Sequence, residues 1–490
     1  MSERVSPMHS NPFSNPFKTG WIQSVLASAQ VFIPSHAQAD AHGFSSITTD
    51  SRKIQGNELF VAIRGETFDG HAFIEQALAS GASGVLGDSS NLTSNRISTL
   101  SGQYPKATFF VVSDVLQAYR ALGQAWRAQF NIPVIVVAGS NGKTTTKEIL
   151  AAMLLGCHKS VLRTQGSQNG FLGIPMTLLE LRPEHTAAVI EVGIDDVGAM
   201  ARHIECVQPT HAVLTVIGPE HLENLKDLAT VAHEELIALK KTLDLGGRIA
   251  IHLDDPWILA WAQSVAAQNL ITLNGPSASF SLERPATVTG KITPSGLTVT
   301  AQNQSFDLVP PLPGRHNLQN LLAAAATALL TGLQPEEIIR GLSHFQGAEG
   351  RSQIRSLSPS RLVICDYYNA SPVSMKAAFE LLATTGPAHA QRWACLADMK
   401  ELGPDELQFH RELAAPLLEA KPTGILLHGH RMKSLLEELR SQGFSGSLEH
   451  FETPESLAQA LKPRLGDQDV VLLKGSRSMK MEKAWQTLST

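Results

Sequence analysis

The run Val136-Val137-Ala138-Gly139-Ser140-Asn141-Gly142-Lys143-Thr144-Thr145-Thr146 leads an apolar segment into a glycine-rich turn and then into Lys-Thr. The uncharged residues 135–138 read as a buried strand, and residues 143–155 read as a helix. Strand, tight turn and helix in that order close backbone N–H groups around an anion and point the positive end of the helix dipole at it. Lys143 adds a mobile positive charge and Thr144 a hydroxyl suited to Mg²⁺, so Gly139, Ser140, Asn141, Gly142, Lys143, Thr144 and Thr145 form the expected cradle of a nucleoside triphosphate. The spacing is short. The common loop reads G-x-x-x-x-G-K-[ST], whereas only Ser140 and Asn141 separate Gly139 from Gly142.

At 490 residues the chain is too long for one ordinary core. Short apolar runs alternate with helical patterns along most of it, which predicts an α/β protein with parallel sheets. Residues 1–19 are expected to be a flexible tail. A smaller N-terminal α/β domain is expected over 20–113, with strands at 59–63 and 109–112 and a helix at 72–80. A central domain over 114–346 opens on a helix at 114–130. Its mostly parallel sheet takes strands from 133–138, 187–192, 211–216 and 248–251. Alternating polar and apolar positions between 279 and 311 predict a small antiparallel insertion, followed by helices at 317–330 and 335–342. An open α/β domain over 347–490 takes strands at 361–365, 393–396, 424–427 and 470–473.

With 40 basic and 45 acidic residues the net charge is −5, so no global positive field favours nucleic acid or an anionic membrane surface. No run of apolar residues is long enough for a membrane span. The four cysteines are scattered without C-x-x-C spacing, which argues against a disulfide framework or a zinc site and for a reducing cytoplasm.

Two further positions carry chemistry. Glu191 ends the apolar run 187–190, where a carboxylate at the C-terminal edge of a parallel sheet is either an ordinary strand-end acid or a Mg²⁺ ligand beside the loop. His221, in Gly218-Pro219-Glu220-His221-Leu222-Glu223, is either a solvated loop histidine or a ligand.

Taken together, residues 138–146, Glu191 and the His221-Leu222-Glu223 segment resemble the Mur ligases, ATP-dependent amide-forming enzymes of peptidoglycan precursor synthesis whose shortened P-loop has this spacing. The resemblance covers nearly all of the chain after the tail. Thr49-Asp50-Ser51-Arg52 and Asp69-Gly70-His71 are similar to the uridine-nucleotide-binding domain of that family. Asp366-Tyr367-Tyr368-Asn369-Ala370-Ser371-Pro372, Leu396-Ala397-Asp398-Met399-Lys400 and Lys474-Gly475-Ser476-Arg477 resemble the branch that adds D-alanyl-D-alanine to UDP-MurNAc-tripeptide.

The resemblance implies ATP and Mg²⁺ as cofactors, UDP-MurNAc-tripeptide and D-alanyl-D-alanine as substrates, and a cytoplasmic monomer. It implies catalytic roles for Lys143, Glu191, His221 and Glu235, with Thr144, Glu191, His221 and Glu235 at the metals. Asn317 and Asn320 would meet adenine and Arg351 the ATP phosphates. Asp50, Ser51, Arg52, Gly70 and His71 would meet the uridine nucleotide, and Tyr368, Asn369, Ala370, Ser371 and Pro372 the dipeptide. Lys53 and Arg64 are further candidates for the nucleotide phosphates. An Asn317 helix cap is the plain structural alternative for that residue. The chain departs from the family at Asp195-Asp196, where Asn-His is usual, and at Glu235, which stands where the family carries a carbamylated lysine. Rival readings are a diaminopimelate-adding or folylpolyglutamate-type ligase, and a non-catalytic nucleotide-binding scaffold.

Overall fold

A computed structural model describes residues 15–33, 43–65, 68–264, 277–358 and 360–490. They fall into two compact units. Residues 1–14 of the expected tail lie outside the described residues, but the remainder is structured. Phe17–Lys18 pairs antiparallel with Gly43–Phe44, and a helix begins at Thr19. Phe17 is fully buried, with its ring centroid 4.5 Å from that of Trp126 and 6.0 Å from that of Trp21. Burying an aromatic ring of this size is worth about 1.5–3 kcal/mol, more than a polar Ser/Asn/Pro-rich surrounding sequence suggests.

The first unit holds the described residues up to Asn131 together with Phe171–Pro183 and Glu205–Gln208. Its five-stranded sheet runs Gln30–Phe32, Thr108–Val112, Gly84–Asp88, Leu59–Val61, Ile47–Thr48, parallel except for the first pairing. The helix Val115–Arg127, expected to open the central domain, belongs here instead. Val115, Ala118, Tyr119, Leu122 and Trp126 form its buried stripe, at the spacing of one helical face. Trp126 Nε1 donates to the Leu181 carbonyl at 3.1 Å, and the buried Arg127 donates to the carbonyls of Val207, Gln208 and Phe130. The helix thus gathers two later stretches of chain into this unit.

The second unit holds two sheets. The first has nine strands in the order Gln304–Leu308, Gly296–Ala301, Val288–Thr293, Ser277–Ser281, Arg248–His252, His211–Leu214, Val134–Ala138, Ala187–Glu191, Val161–Arg163. Val134–Ala138 is central and wholly buried, as a parallel strand covered on both faces must be. The expected antiparallel insertion is no separate piece. Its three strands extend the same sheet, because Val288 pairs parallel with Phe280 before the chain turns back on itself. Helices Lys143–Leu154 and Arg315–Leu330 pack into one apolar core on this sheet.

The other sheet has six strands, Gln353–Ser358, Arg361–Asp366, Val470–Lys474, Arg392–Ala397, Gly424–His428 and Ser447–Phe451, parallel apart from the first pair. Among the described residues no helix is long and apolar enough to cross a membrane.

Candidate active site

The loop after strand Val134–Ala138 is held from every side. Gly139 and Gly142 take φ of +117° and +81°, a region that residues with a Cβ seldom occupy. A Cβ on Gly139 would strike Thr215 Oγ1 and one on Gly142 would strike Asn320 Oδ1. The Gly139 N–H donates to Glu235 Oε2 at 2.8 Å and the Ser140 N–H to the Val216 carbonyl at 2.8 Å, so protein takes the first two amides of the loop. Thr215 Oγ1 donates to the Asn141 carbonyl at 2.5 Å, and Gly218 N–H to Ser140 Oγ at 2.9 Å. Gly142 caps helix Lys143–Leu154, leaving its first-turn donors toward a cavity lined by residues 140–145.

Three carboxylates surround this loop, each with one oxygen lacking a hydrogen-bond partner: Glu191 Oε2, Glu220 Oε1 and Glu235 Oε1. Glu220 Oε2 lies 3.1 Å from Lys143 Nζ, and both residues line the cavity. Burial pulls the Lys143 pKa down, but the charges of Glu220, Glu235 and Glu191 outweigh it and the net direction is upward. Glu191, only 1 % exposed, accepts from Asn169 Nδ2 at 2.8 Å through Oε1. Thr144 Oγ1 is 3.2 Å from Ser167 Oγ.

Glu235 differs from its expected role. It is fully buried, is not among the cavity-lining residues and braces the loop through Gly139. Burial and then the neighbouring Glu220 charge raise its pKa well above the usual carboxylate range. His221 does line the cavity, with φ +47°, and its Nδ1 sits 2.7 Å from Glu401 Oε2. The bond to Glu401 raises the His221 pKa despite burial. Asp195 and Asp196 are not on the cavity wall either. Asp196 pairs with Arg202 at 2.7 Å, and the Asp195 carbonyl accepts from Asn224.

Mg²⁺ typically takes one or two carboxylates and completes its shell with water and phosphate oxygens. Thr144 and the bare, buried Glu191 Oε2 fit that requirement. Among the described residues no group of three or more His, Cys, Asp and Glu is arranged to cage an ion.

The opposite walls come from helix Arg315–Leu330 and the segments around 351 and 368. Gly314 is the N-cap of that helix, so Asn317 is not its cap, and the Asn317 amide donates to the Pro313 carbonyl at 2.7 Å. Asn320 Nδ2 donates to Asn317 Oδ1 at 3.2 Å, and its Oδ1 accepts from Thr146 Oγ1 at 3.3 Å. Arg351 follows Gly347 and Gly350, both at positive φ; it donates to Ser167 Oγ at 3.2 Å and lies 4.3 Å from the Tyr368 ring centroid. Asn369 is exposed. Ala370 is buried, and Ser371 caps the helix Pro372–Thr384 while donating to Asn141 Oδ1 at 2.8 Å. Lys474, buried, grips Asp366 Oδ2 at 2.6 Å and the Asn369 carbonyl at 3.0 Å. The P-loop residues therefore share one cavity with two of the dipeptide candidates, Tyr368 and Asn369, whereas Ala370, Ser371 and Pro372 are not on its wall.

In the first unit the expected nucleotide residues are engaged with one another. Arg52 donates to both Asp50 carboxylate oxygens, at 2.8 and 2.9 Å, and the Asp50 pKa falls to about 2 under that bond. Ser51 is buried beside them. The His71 ring is 2 % exposed; Nδ1 lies 2.7 Å from Asp69 Oδ1, and Nε2 accepts the Asp88 N–H at 3.1 Å. Gly70 passes so close to the Ile63 backbone that a Cβ would lie 2.7 Å from its carbonyl oxygen. Arg64 pairs with Asp69 at 3.0 Å.

Sequence reasoning gave no role to Lys147, Ser167, Asn169 or Glu220. Lys147 offered a signal, as a lysine one turn after Lys143 on an otherwise apolar helix face.

Residues 43–129 match the Mur ligase family catalytic domain, 137–328 the Mur ligase middle domain, and 350–477 the Mur ligase glutamate ligase domain. The chain is 31% identical over 453 residues to UDP-N-acetylmuramoyl-tripeptide–D-alanyl-D-alanine ligase of Bacillus subtilis, covering 92% of this chain and 93% of the relative. It is 33% identical to the Escherichia coli ligase of the same name, covering 90% of this chain and 93% of the relative. Among solved structures, MurF from Acinetobacter baumannii superposes with a TM-score of 0.82 at 27% identity, covering 96% of this chain and 98% of that one. With matching domains in order along it, a P-loop of the short spacing and relatives spanning nine-tenths of its length, the chain belongs to the Mur ligase family.

Proposed function

We propose that the chain joins D-alanyl-D-alanine to UDP-MurNAc-tripeptide through an acyl phosphate, the final cytoplasmic step of peptidoglycan precursor peptide assembly. Mur ligases form amide bonds with ATP and Mg²⁺. The observation that carries the reading is the single cavity lined both by the P-loop residues 140–145 and by Tyr368 and Asn369 of the dipeptide segment, tied together by the bond from Ser371 Oγ to Asn141 Oδ1.

The chemistry explains the need for both edges. A carboxylate is a poor electrophile, so its oxygen first attacks the γ-phosphorus; an O–P bond forms and ADP leaves. The free amine of the dipeptide then attacks the acyl carbon, loses a proton, and phosphate departs with the bonding pair. The first step brings two anions together. Lys143 neutralises charge on the β and γ phosphates, and nucleotide phosphates replace Glu220 as its partner. A magnesium ion held by Thr144 and Glu191 would supply further charge neutralisation. Arg351 approaches the phosphates from the segment after Gly350, while Asn317 and Asn320 face the base.

Tyr368, Asn369, Ala370, Ser371 and Pro372 receive the dipeptide. Asp50, Ser51, Arg52 and Gly70 receive the uridine nucleotide, with His71 as the buttress beneath them, and the enzyme works as a cytoplasmic monomer. The domain assignment follows the same reading: 20–113 for the uridine nucleotide, the central region to 346 for ATP, and 347–490 for the dipeptide. A coupled ADP-release assay across UDP-MurNAc-tripeptides and candidate dipeptides tests this function. Release is expected only when tripeptide and D-alanyl-D-alanine are both present; equal release with diaminopimelate or glutamate as the amine overturns it.

A further inference from the structure

Lys147 lies one turn beyond Lys143 on the same helix and is wholly buried. An ammonium taken out of water is destabilising unless its donors and charge are met. An ammonium has three N–H donors. Two are taken by the carbonyls of Thr164 at 2.7 Å and Gly166 at 2.8 Å, and Glu148 Oε1 is ion-paired at 2.9 Å. Glu191 Oε2 is farther, at 3.5 Å, so it receives the charge of Lys147 without giving up a lone pair to a hydrogen bond.

The segment Lys147 clamps carries the groups that aim the metal edge. Thr164 Oγ1 accepts the Glu191 N–H at 3.0 Å. Ser167 Oγ stands 3.2 Å from Thr144 Oγ1 and 3.2 Å from Arg351 Nη2. Asn169 holds Glu191 Oε1 at 2.8 Å and accepts the Gly193 N–H through its carbonyl at 2.9 Å.

We propose that Lys147 is a positioning residue that sets the Mg²⁺ requirement of nucleotide binding, by clamping the 164–169 turn so that Ser167 and Asn169 fix Thr144 and Glu191. It is not among the residues that line the cavity. The inference rests on Thr144 and Glu191 as the magnesium residues. Outer-shell partners of metal ligands commonly change metal affinity by about 10–100-fold.

The test is the Mg²⁺ dependence of ADP binding by calorimetry, with Mn²⁺ affinity of the protein–ADP complex by electron paramagnetic resonance and the melting temperature without nucleotide. Lys147→Met keeps the stem and removes charge and donors, and should raise the half-saturating Mg²⁺ concentration about tenfold or more. Lys147→Arg keeps the charge but cannot reproduce both carbonyl bonds, and a smaller rise is expected. Wild-type metal dependence with a lowered melting temperature would reduce Lys147 to packing and overturn the inference. If Lys147→Met does not fold, Lys147→Arg decides alone by the same readout: wild-type Mg²⁺ and Mn²⁺ dependence overturns the inference. Nucleotide binding by the unaltered enzyme that ignores Mg²⁺ would instead overturn the metal assignment beneath it.

Discussion

The two units hold their motif residues in opposite states. In the first, polar groups close on each other: Arg52 covers both oxygens of Asp50, and the His71 ring is used at both nitrogens by Asp69 and Asp88. In the second, three buried carboxylates, Glu191, Glu220 and Glu235, crowd one lysine, and each keeps an oxygen with no hydrogen-bond donor placed on it, Glu191 Oε2 facing Lys147 at 3.5 Å. Buried polar atoms are normally satisfied, so an unpaired set is costly in the resting protein. The contrast separates groups already paired in the resting protein from groups arranged for charge that arrives with a ligand.

Lys143→Ala tests the second state with the largest effect. Acyl phosphate formation should fall by about 10²-fold or more while the protein stays folded, because the side chain stabilises developing charge and buries little apolar surface. Rapid-quench measurement of acyl phosphate, with circular dichroism as the folding control, decides it; near wild-type turnover at saturating ATP would contradict the role.

His71→Ala should act on the first state in the reverse sense. Removing a buried ring and leaving the Asp88 N–H unpaired should cost about 3 kcal/mol of stability. Uridine-nucleotide affinity of the folded fraction should stay close to that of the unaltered protein. A stable variant with lost affinity would move His71 from scaffold to ligand contact.

Glu235 sharpens the line between the states, since it belongs to the unpaired set but faces the loop. Glu235→Gln retains an acceptor for the Gly139 N–H and resembles the protonated acid, so melting should barely change. Glu235→Ala orphans that N–H and should cost about 1–3 kcal/mol. Equal loss in both variants would show that the charge, not the hydrogen bond, is what the loop uses.

The smallest effect concerns acid. Asp69 is lowered from 3.8 to about 2, chiefly by the His71 N–H. Its folded pKa lies below the unfolded value, so its stabilisation is present above pH 3.8 and is lost as pH falls toward 2. Asp69→Asn should flatten that part of an acid-unfolding curve, with solvent screening keeping the difference small.

Much of this was legible in the sequence because the strands of a parallel sheet are continuous apolar runs, and the loop Gly139–Lys143 has a spacing that admits few other structures. Glu191 was placed by its position at a strand end. What stayed hidden depends on contacts between distant segments. The family resemblance singled out Glu235 but could not say that its carboxylate turns toward Gly139, ninety-six residues earlier. Helix Val115–Arg127 reads the same in either domain; Leu181, Val207 and Gln208 decide the matter. Phe17 looks like part of a tail until Trp126 is folded against it.

The space that a side chain on Gly142 would need is occupied by Asn320 Oδ1, and Asn320 in turn is fastened to Asn317. The loop and helix Arg315–Leu330 are therefore geared: neither slides along the other without a collision.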